Sequence, residues 1–381
     1  MNKILLKEVE DKNLFEEFII KRGYKFEESY PIITNDPTVM FMNATVTPYK
    51  DKMIKGEYLK ATALVQDCFR AKFDSEFLLY FKMLGMVSEI SYLEKIFRDI
   101  IDYLDEFVGI SIDELVMVVH EEDRDLIETW KKIINKEESI FYINKLTKNN
   151  HKYKTRWKYG NGFPITGRGV TITYNNKRKV KCGEKCNELC NCDKYLPIGN
   201  VIIVENSVNI KKYVEVGFGI EFMKALKING DIFKIKEFSD VIEQIGKIGF
   251  DLKTSQKIFN YQRGIDRILG EKIIPYNKKH GYVLRKTIRK VVDLSIEKFG
   301  LANVEKIYGE IINIMNQLDT EEIGILNEEV TFYLKSIISN IEKAKKFIKK
   351  NKLENSNIID RVKDTFGLSV CIIQKYVYEG L

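Results

Sequence analysis

Val214-Glu215-Val216-Gly217-Phe218-Gly219-Ile220-Glu221-Phe222 is the stretch on which the reading of this chain turns. Its two glycines let a backbone come close to a ligand. Carboxylates stand on either side of them, and the run closes on an aromatic residue. A phenylalanine at 222 can stack on a purine, but it offers no charge to a phosphate and none of the bidentate contacts of a guanidinium. The segment has a backbone suited to close approach of a ligand and ends on a ring without charge.

Around this stretch lie 381 residues, 44% of them apolar, enough for packed cores and long enough to predict two domains. Met1 to Asn13 mix Lys and Glu with a few apolar residues, and no uninterrupted apolar run of about 18 residues occurs. The expectation is a cytoplasmic, soluble protein with neither signal peptide nor membrane span. A formal charge of +7 is modest for this length. The cations cluster, however, at residues 143–158 and 176–185, from Arg285 to Lys290 and from Lys343 to Lys352. Such clusters suit a polyanionic partner or a solvated, lysine-rich surface, and composition does not choose between them.

Phe15, Phe18 and Ile19 at helical spacing predict a first helix that stops at Arg22-Gly23. Residues 38–46 and 58–70 read as strand-rich, and Glu76 to Gly85 as a short apolar strand or turn. Tyr92 to Phe107 has the spacing of an amphipathic helix. Glu114 to His120 alternates as a strand does, and Arg124 to Ile134 returns to helix. From Lys152 to Val208 the pattern is β-rich, with strands over Val170–Tyr174 and Asn200–Glu205 flanking a cysteine loop. Beyond about Phe233 long amphipathic helices take over, for example Val283–Phe299 and Val304–Leu318. The predicted fold class is α+β: an antiparallel sheet flanked by helices over 1–235, with a cysteine-rich insertion near 182–192, then a helical domain over 236–381.

Several segments together resemble the alanyl-tRNA synthetases, class II enzymes, from about Phe15 to the last residue. Asn35-Asp36-Pro37-Thr38 with Phe41, Asn43, Ala44, Tyr49 and Lys50 resembles that family's N-D-P-T-L-L-F-T-N-A-G-M-x-x-F-K. Tyr58, Ala61-Thr62, Gln66, Cys68 and Arg70-Ala71 follow Y-x-R-A-T-x-x-Q-x-C-x-R-A. Phe81-Lys82-Met83-Leu84-Gly85 is similar to F-F-E-M-L-G. The opening stretch is similar to V-D-T-G-x-G-x-E-R, with Phe222 at the arginine. The resemblance implies a class II fold and ATP-dependent activation of an amino acid, followed by transfer to tRNA or another carrier. It places ATP, with Mg2+, against Arg70, Met83, Gly217, Gly219, Glu221 and Phe222, with Arg70 the catalytic contact to the α-phosphate.

For the amino acid the resemblance implies Glu215, in place of an aspartate that holds the substrate ammonium, with Gly199 and Asn200 from Tyr195-Leu196-Pro197-Ile198-Gly199-Asn200. Gly199 stands where the family has a pocket tryptophan, which predicts a wider or differently shaped pocket. The substrate expected is alanine, glycine or a serine-like amino acid. Further departures are Lys82 for a glutamate, and Asn161 and Val170 for acidic residues of the kind that orient magnesium or an amino group. These changes keep open a second function, a catalytically inactive pseudo-synthetase binding tRNA or an amino acid. A third keeps the enzyme and changes the acceptor to a carrier protein or small molecule.

Cys182, Cys186, Cys190 and Cys192 lie within eleven residues. Four thiolates on a tight loop can form a tetrahedral zinc site, although C-x3-C-x3-C-x-C is not the common zinc-ribbon spacing, and free thiols are the alternative. Cys68 and Cys371 read as ordinary core residues. In the helical region, Pro275, Asn277 and His280 to Lys286 resemble P-S-N-E-x-R-G-Y-V-L-R-R, on the face that receives the tRNA acceptor stem. The resemblance implies tRNA contacts from Asn277, Arg285, Lys286 and Arg289, and a plain exposed helix face is the other reading. The aspartate that partners Asn277 in the family falls on Cys371. Only His120, His151 and His280 are present and none forms H-x-x-x-H, so no editing domain is expected. A monomer or weak dimer is expected.

Overall fold

The computed structural model describes residues 3–73, 77–134, 136–143, 153–160, 164–228, 230–351 and 358–378. The chain packs as two compact units: Lys3–Arg70 with Tyr80–Phe238, and Ala71–Leu79 with Ser239–Leu381.

The first unit is built on one sheet, nine-stranded among the described residues, in the order β1-β2-β3-β9-β8-β7-β4-β5 with β6 beside β7. Helix α1 (Lys3–Lys21) opens the chain and ends at Gly23, whose φ of +84° supplies the left-handed turn expected there. Next come β1 (Lys25–Glu27), α2 (Lys50–Lys55), β2 (Thr62–Phe69), β3 (Tyr80–Glu89), α3 (Leu93–Tyr103), β4 (Leu115–His120) and α4 (Arg124–Ile133). β5 (Ile140–Ile143), β6 (Arg156–Lys158), β7 (Ile165–Asn175), β8 (Tyr195–Asn206), β9 (Lys212–Gly219) and α5 (Ile220–Ala225) complete the unit. The central pairs are antiparallel as expected, while β1 with β2 and β4 with β5 are parallel, so the sheet is mixed at its two edges.

Strand alternation sends two sets of side chains to opposite faces. One face carries Val65, Leu84, Met86, Val170, Ile172, Val201, Val216 and Phe218 into a core shared with Phe15, Phe18, Ile96, Phe97 and Trp130. The other face presents Met83, Gly85, Glu215, Gly217 and Asn200 at matched register positions.

The strand expected over 38–46 does not form. Asp36 Oδ1 accepts from both the backbone N–H and the hydroxyl of Thr38, at 2.8 and 2.7 Å, and closes a turn that leaves one isolated bridge, Ile33 to Phe41. Thr45 then inserts against β3 at Gly85, where an added Cβ would overlap its Cγ2. Its hydroxyl donates to the Val216 carbonyl at 2.8 Å. The apolar piece expected from Glu76 is a full ten-residue strand beginning at Tyr80; Glu76 itself lies outside the described residues.

The second unit holds most of α6 (Lys236–Lys247) and then α7 (Leu252–Gly270), α8 (Lys279–Phe299), α9 (Val304–Met315), α10 (Thr320–Asn351), α11 (Ile358–Phe366) and the short α12 (Val370–Ile372). Ile258, Ile265, Ile288, Val292, Tyr308, Ile311 and Leu326 are fully buried at helical spacing.

Candidate active site

On the face of the sheet away from α1 and α3 lies a cavity of about 550 Å³, a size typical of small-molecule sites. Strands β3, β8 and β9 form its floor. The turn 43–50 makes one wall and residues 154–160 another. Of the residues proposed from sequence, the structure brings together Arg70, Met83, Asn200, Glu215 and Gly217 on its lining.

Arg70 leaves the end of β2 and lies over the ring of Phe81, 5.1 Å from its centroid. A Cβ at Gly217 would stand 2.9 Å from Met83 Sδ, so the thioether sits close on the floor where the backbone is bare. The Asn200 amide oxygen accepts from Thr171 Oγ1 at 2.9 Å. Glu215 is buried at the base, and Tyr159 Oη donates to its Oε2 at 2.6 Å. Burial pushes this carboxyl up to about 7, against the opposing pull of the Tyr159 hydroxyl, the Val46 backbone N–H and the charges of Lys50 and Lys154. Charge at 215 is therefore only partly retained near neutrality until a cation arrives.

Lys154, Lys158 and Tyr159 also line the cavity and were not singled out as site residues from sequence. The signal was present, since two fall in the basic run 143–158 and Tyr159 sits between Trp157 and Gly160. Lys154 lies over the Trp157 ring at 5.4 Å, and burial lowers its pKa. Lys50 is committed elsewhere: its ammonium donates to Asp36 at 2.7 Å and Thr38 at 3.0 Å.

Other expected residues are placed off this lining. Glu221 is buried and accepts from the Lys82 backbone N–H at 3.0 and 3.1 Å, fastening α5 to β3. Gly219 stands at the entry of α5, where a Cβ would meet only Phe222 at an ordinary 3.7 Å. Phe222 packs half-buried against the apolar core.

Three departures read as active-site losses also lie off the lining. Lys82 projects to the helix side of β3, where Nζ pairs with Asp67 at 2.7 Å and Glu8 at 3.5 Å. Val170 is fully buried in the apolar core, so a carboxylate there would point away from the cavity. At Gly199, where a wider or differently shaped pocket is expected, the space a side chain would take is filled by the Phe218 ring, on the core side. Asn161 lies outside the described residues.

Among the described residues, the lining carries the cations Lys50, Arg70, Lys154 and Lys158 and one carboxylate, Glu215, which accepts from Tyr159. That donor set suits phosphates, whose own oxygens, with water, would be the main ligands of a magnesium ion there.

Between β7 and β8 the four loop thiols come together. All Sγ atoms lie within 4.8 Å of one another, with Cys182 to Cys190 at 3.3 Å and Cys186 to Cys192 at 3.6 Å. A tetrahedral ion with bonds of about 2.3 Å needs sulfurs about 3.8 Å apart, so these residues fit zinc. Leu189 packs against the small cluster of Val118, Ile143 and Tyr153, and Tyr153 Oη donates to the Glu188 carbonyl at 2.7 Å, anchoring the loop to the sheet.

In the second unit, Arg285 and Arg289 both pair with Glu329, at 3.1 and 3.3 Å. Arg285 also donates to the Asn277 amide oxygen. Lys286 is exposed beside the Phe73 ring, 4.8 Å away. Cys371 is half-buried, and after burial the charge of Glu297 raises its thiol most.

The family profile described as tRNA synthetases class II (A) matches residues 10–380. The chain is 24% identical over 391 residues to an alanine–tRNA ligase of Endomicrobium trichonymphae, covering 92% of this chain and 43% of that protein. The corresponding figures are 24%, 100% and 47% for that of Thermoanaerobacter sp. (strain X514), and 27%, 85% and 40% for that of Myxococcus xanthus. The chain thus spans under half the length of these relatives. Among solved structures, it is similar to a pyrrolysyl-tRNA synthetase from Desulfitobacterium hafniense with a TM-score of 0.35 and 12% identity, over 61% of this chain and 72% of that one. Among the described residues, no helix is long and apolar enough to cross a membrane.

Proposed function

Because the chain belongs to the class II tRNA synthetase (A) family, we propose that it activates a small amino acid with ATP and passes the aminoacyl group to tRNA or another carrier. The observation that carries this reading is the convergence of Arg70, Asn200 and Glu215 on one cavity, while Lys82, Val170, Gly199 and Phe222 stand off its lining. Most of the apparent erosion falls outside the place where the chemistry would occur.

In the proposed reaction an oxygen of the amino-acid carboxylate attacks the α-phosphorus of ATP. A new carboxyl O–P bond forms as the bond to the bridging oxygen breaks, and pyrophosphate leaves. Glu215, drawn to its ionised form by the substrate ammonium, fixes the amino end. Arg70 offsets charge at the α-phosphate, and Lys154 and Lys158 offset charge on the outer phosphates. The side-chain amide of Asn200 offers its N–H donors to the carboxylate, and the bare floor at Gly217 leaves room for it. The four thiolates would hold one zinc ion, which would tie down the loop between β7 and β8 away from the reacting atoms.

A second reading, a pseudo-synthetase that binds without activating, is favoured by Phe222, since an apolar ring packed on the core supplies no charge to a nucleotide, and by Asn161 in place of an acidic residue. ATP–pyrophosphate exchange with alanine, glycine and serine decides between them. Exchange with one of the three is expected. A folded protein that exchanges with none, beside an active alanine–tRNA ligase, would establish the binding module.

A further inference from the structure

The second unit carries aromatic side chains in contact with cations where a phosphate-gripping face would carry cations alone. Tyr282, Arg285, Lys286 and Arg289 fall at i, i+3, i+4 and i+7 of α8 and share one face. Tyr282 is 50% exposed, Phe332 of α10 58%, and Tyr276, just before α8, 60%. They are not scattered. The Arg285 guanidinium lies 5.9 Å from the Phe332 centroid and donates to the Pro275 carbonyl at 3.4 Å. The Tyr276 N–H donates to the Gly281 carbonyl at 3.1 Å, which brings Tyr276 back onto the turn before Tyr282.

The charges on this face are already partly spent. Glu329, buried beneath it, takes up both Arg285 and Arg289. What these arginines still offer outward is a flat cationic plane, and what surrounds them is aromatic. This combination holds unpaired bases, which stack on rings and guanidinium planes; a duplex hides its base faces and presents mainly phosphates. We propose that this face of the second unit binds single-stranded nucleotides of RNA, by stacking on Tyr276, Tyr282 and Phe332 and on the Arg285 guanidinium beside Phe332. The inference rests on the reading that this unit receives RNA, and it names the part of the RNA that is held.

The test uses the full chain, a fluorescent single-stranded RNA of about 12 nucleotides and a blunt RNA duplex of the same length. The single strand is expected to bind more tightly than the duplex. Tyr276→Ala and Tyr282→Ala should each weaken single-strand binding about fivefold or more. Tyr282→Phe should retain it, and neither unfolding nor ATP–pyrophosphate exchange should change. Duplex binding that equals or exceeds single-strand binding and ignores the tyrosines would overturn the stacking proposal and leave the RNA reading standing. Binding of neither RNA would overturn both. Sedimentation velocity on the same samples covers the competing occupant: self-association abolished by Tyr282→Ala, with no single-strand binding, would make the face a protein interface.

Discussion

Tyr159 and Glu215, 56 residues apart in the chain, form a buried hydroxyl–carboxyl pair with Oη and Oε2 2.6 Å apart. The tyrosine is the donor that makes an ionised Glu215 tolerable at the cavity base. Removing it by Tyr159→Phe takes a hydrogen bond from a charged group, worth roughly 1.5–3 kcal/mol. The KM for the amino acid is expected to rise about tenfold or more, with kcat less affected, in ATP–pyrophosphate exchange.

The same pair sets a pH dependence. With its carboxyl raised to about 7, Glu215 is protonated on the acid side and cannot hold an ammonium there. Amino-acid affinity is expected to strengthen as pH rises through 7 and then level off. Glu215→Gln should abolish both the binding and the pH dependence. A KM that is flat with pH in the parent protein would contradict the assignment.

Stability should run the other way. Burial raises Asp266 from 3.8 to about 7, with Gln262 donating to one of its oxygens at 2.7 Å. The folded state then keeps a proton that the unfolded chain releases above about 4. Between those values the unfolded chain binds fewer protons, so stability falls as pH rises and is flat above about 7, an effect of roughly 4 kcal/mol at most. Glu215 adds a contribution of the same sign. The melting temperature is expected to drop from about pH 5 to about pH 7, and less so in Asp266→Asn, measured side by side.

Restoring a cation at 222 should not restore anything. Phe222→Arg would push a guanidinium against the core that Phe222 now covers. A loss of about 1–3 kcal/mol in stability is expected, with no gain in exchange rate. A rise of tenfold or more in kcat would show that residue 222 reaches the nucleotide after all.

One zinc per chain is expected by metal analysis of protein purified without chelator. Cys186→Ser should lose it and melt at lower temperature, because on the same loop Leu189 packs against the cluster of Val118, Ile143 and Tyr153 and the Glu188 carbonyl accepts from Tyr153.

The helices and the central antiparallel strands were legible because their periodicities are strong, and the motifs containing Arg70, Asn200, Glu215 and Gly217 led directly to the cavity. Facing was not legible. A motif states which residue occupies a position, while strand alternation decides which side of the sheet it serves, and Lys82, Val170 and Gly199 were weighed as pocket residues without that second fact. The strand expected over 38–46 failed for a local reason, since Asp36 satisfies Thr38 in a turn and Thr45 is drawn down onto Gly85. Tyr159 escaped notice because its importance depends on Glu215, a partner that only folding brings near.

The ring of Phe218 seated over Gly199 ties two neighbouring strands into one packing unit. A larger residue cannot enter position 199 alone, because its first carbon would already collide with that ring, and shrinking residue 218 alone would leave a void in the core. The two positions can change only together. Because both lie on the core side of the sheet, such a paired exchange would be felt in stability and would leave the lining of the cavity as it is.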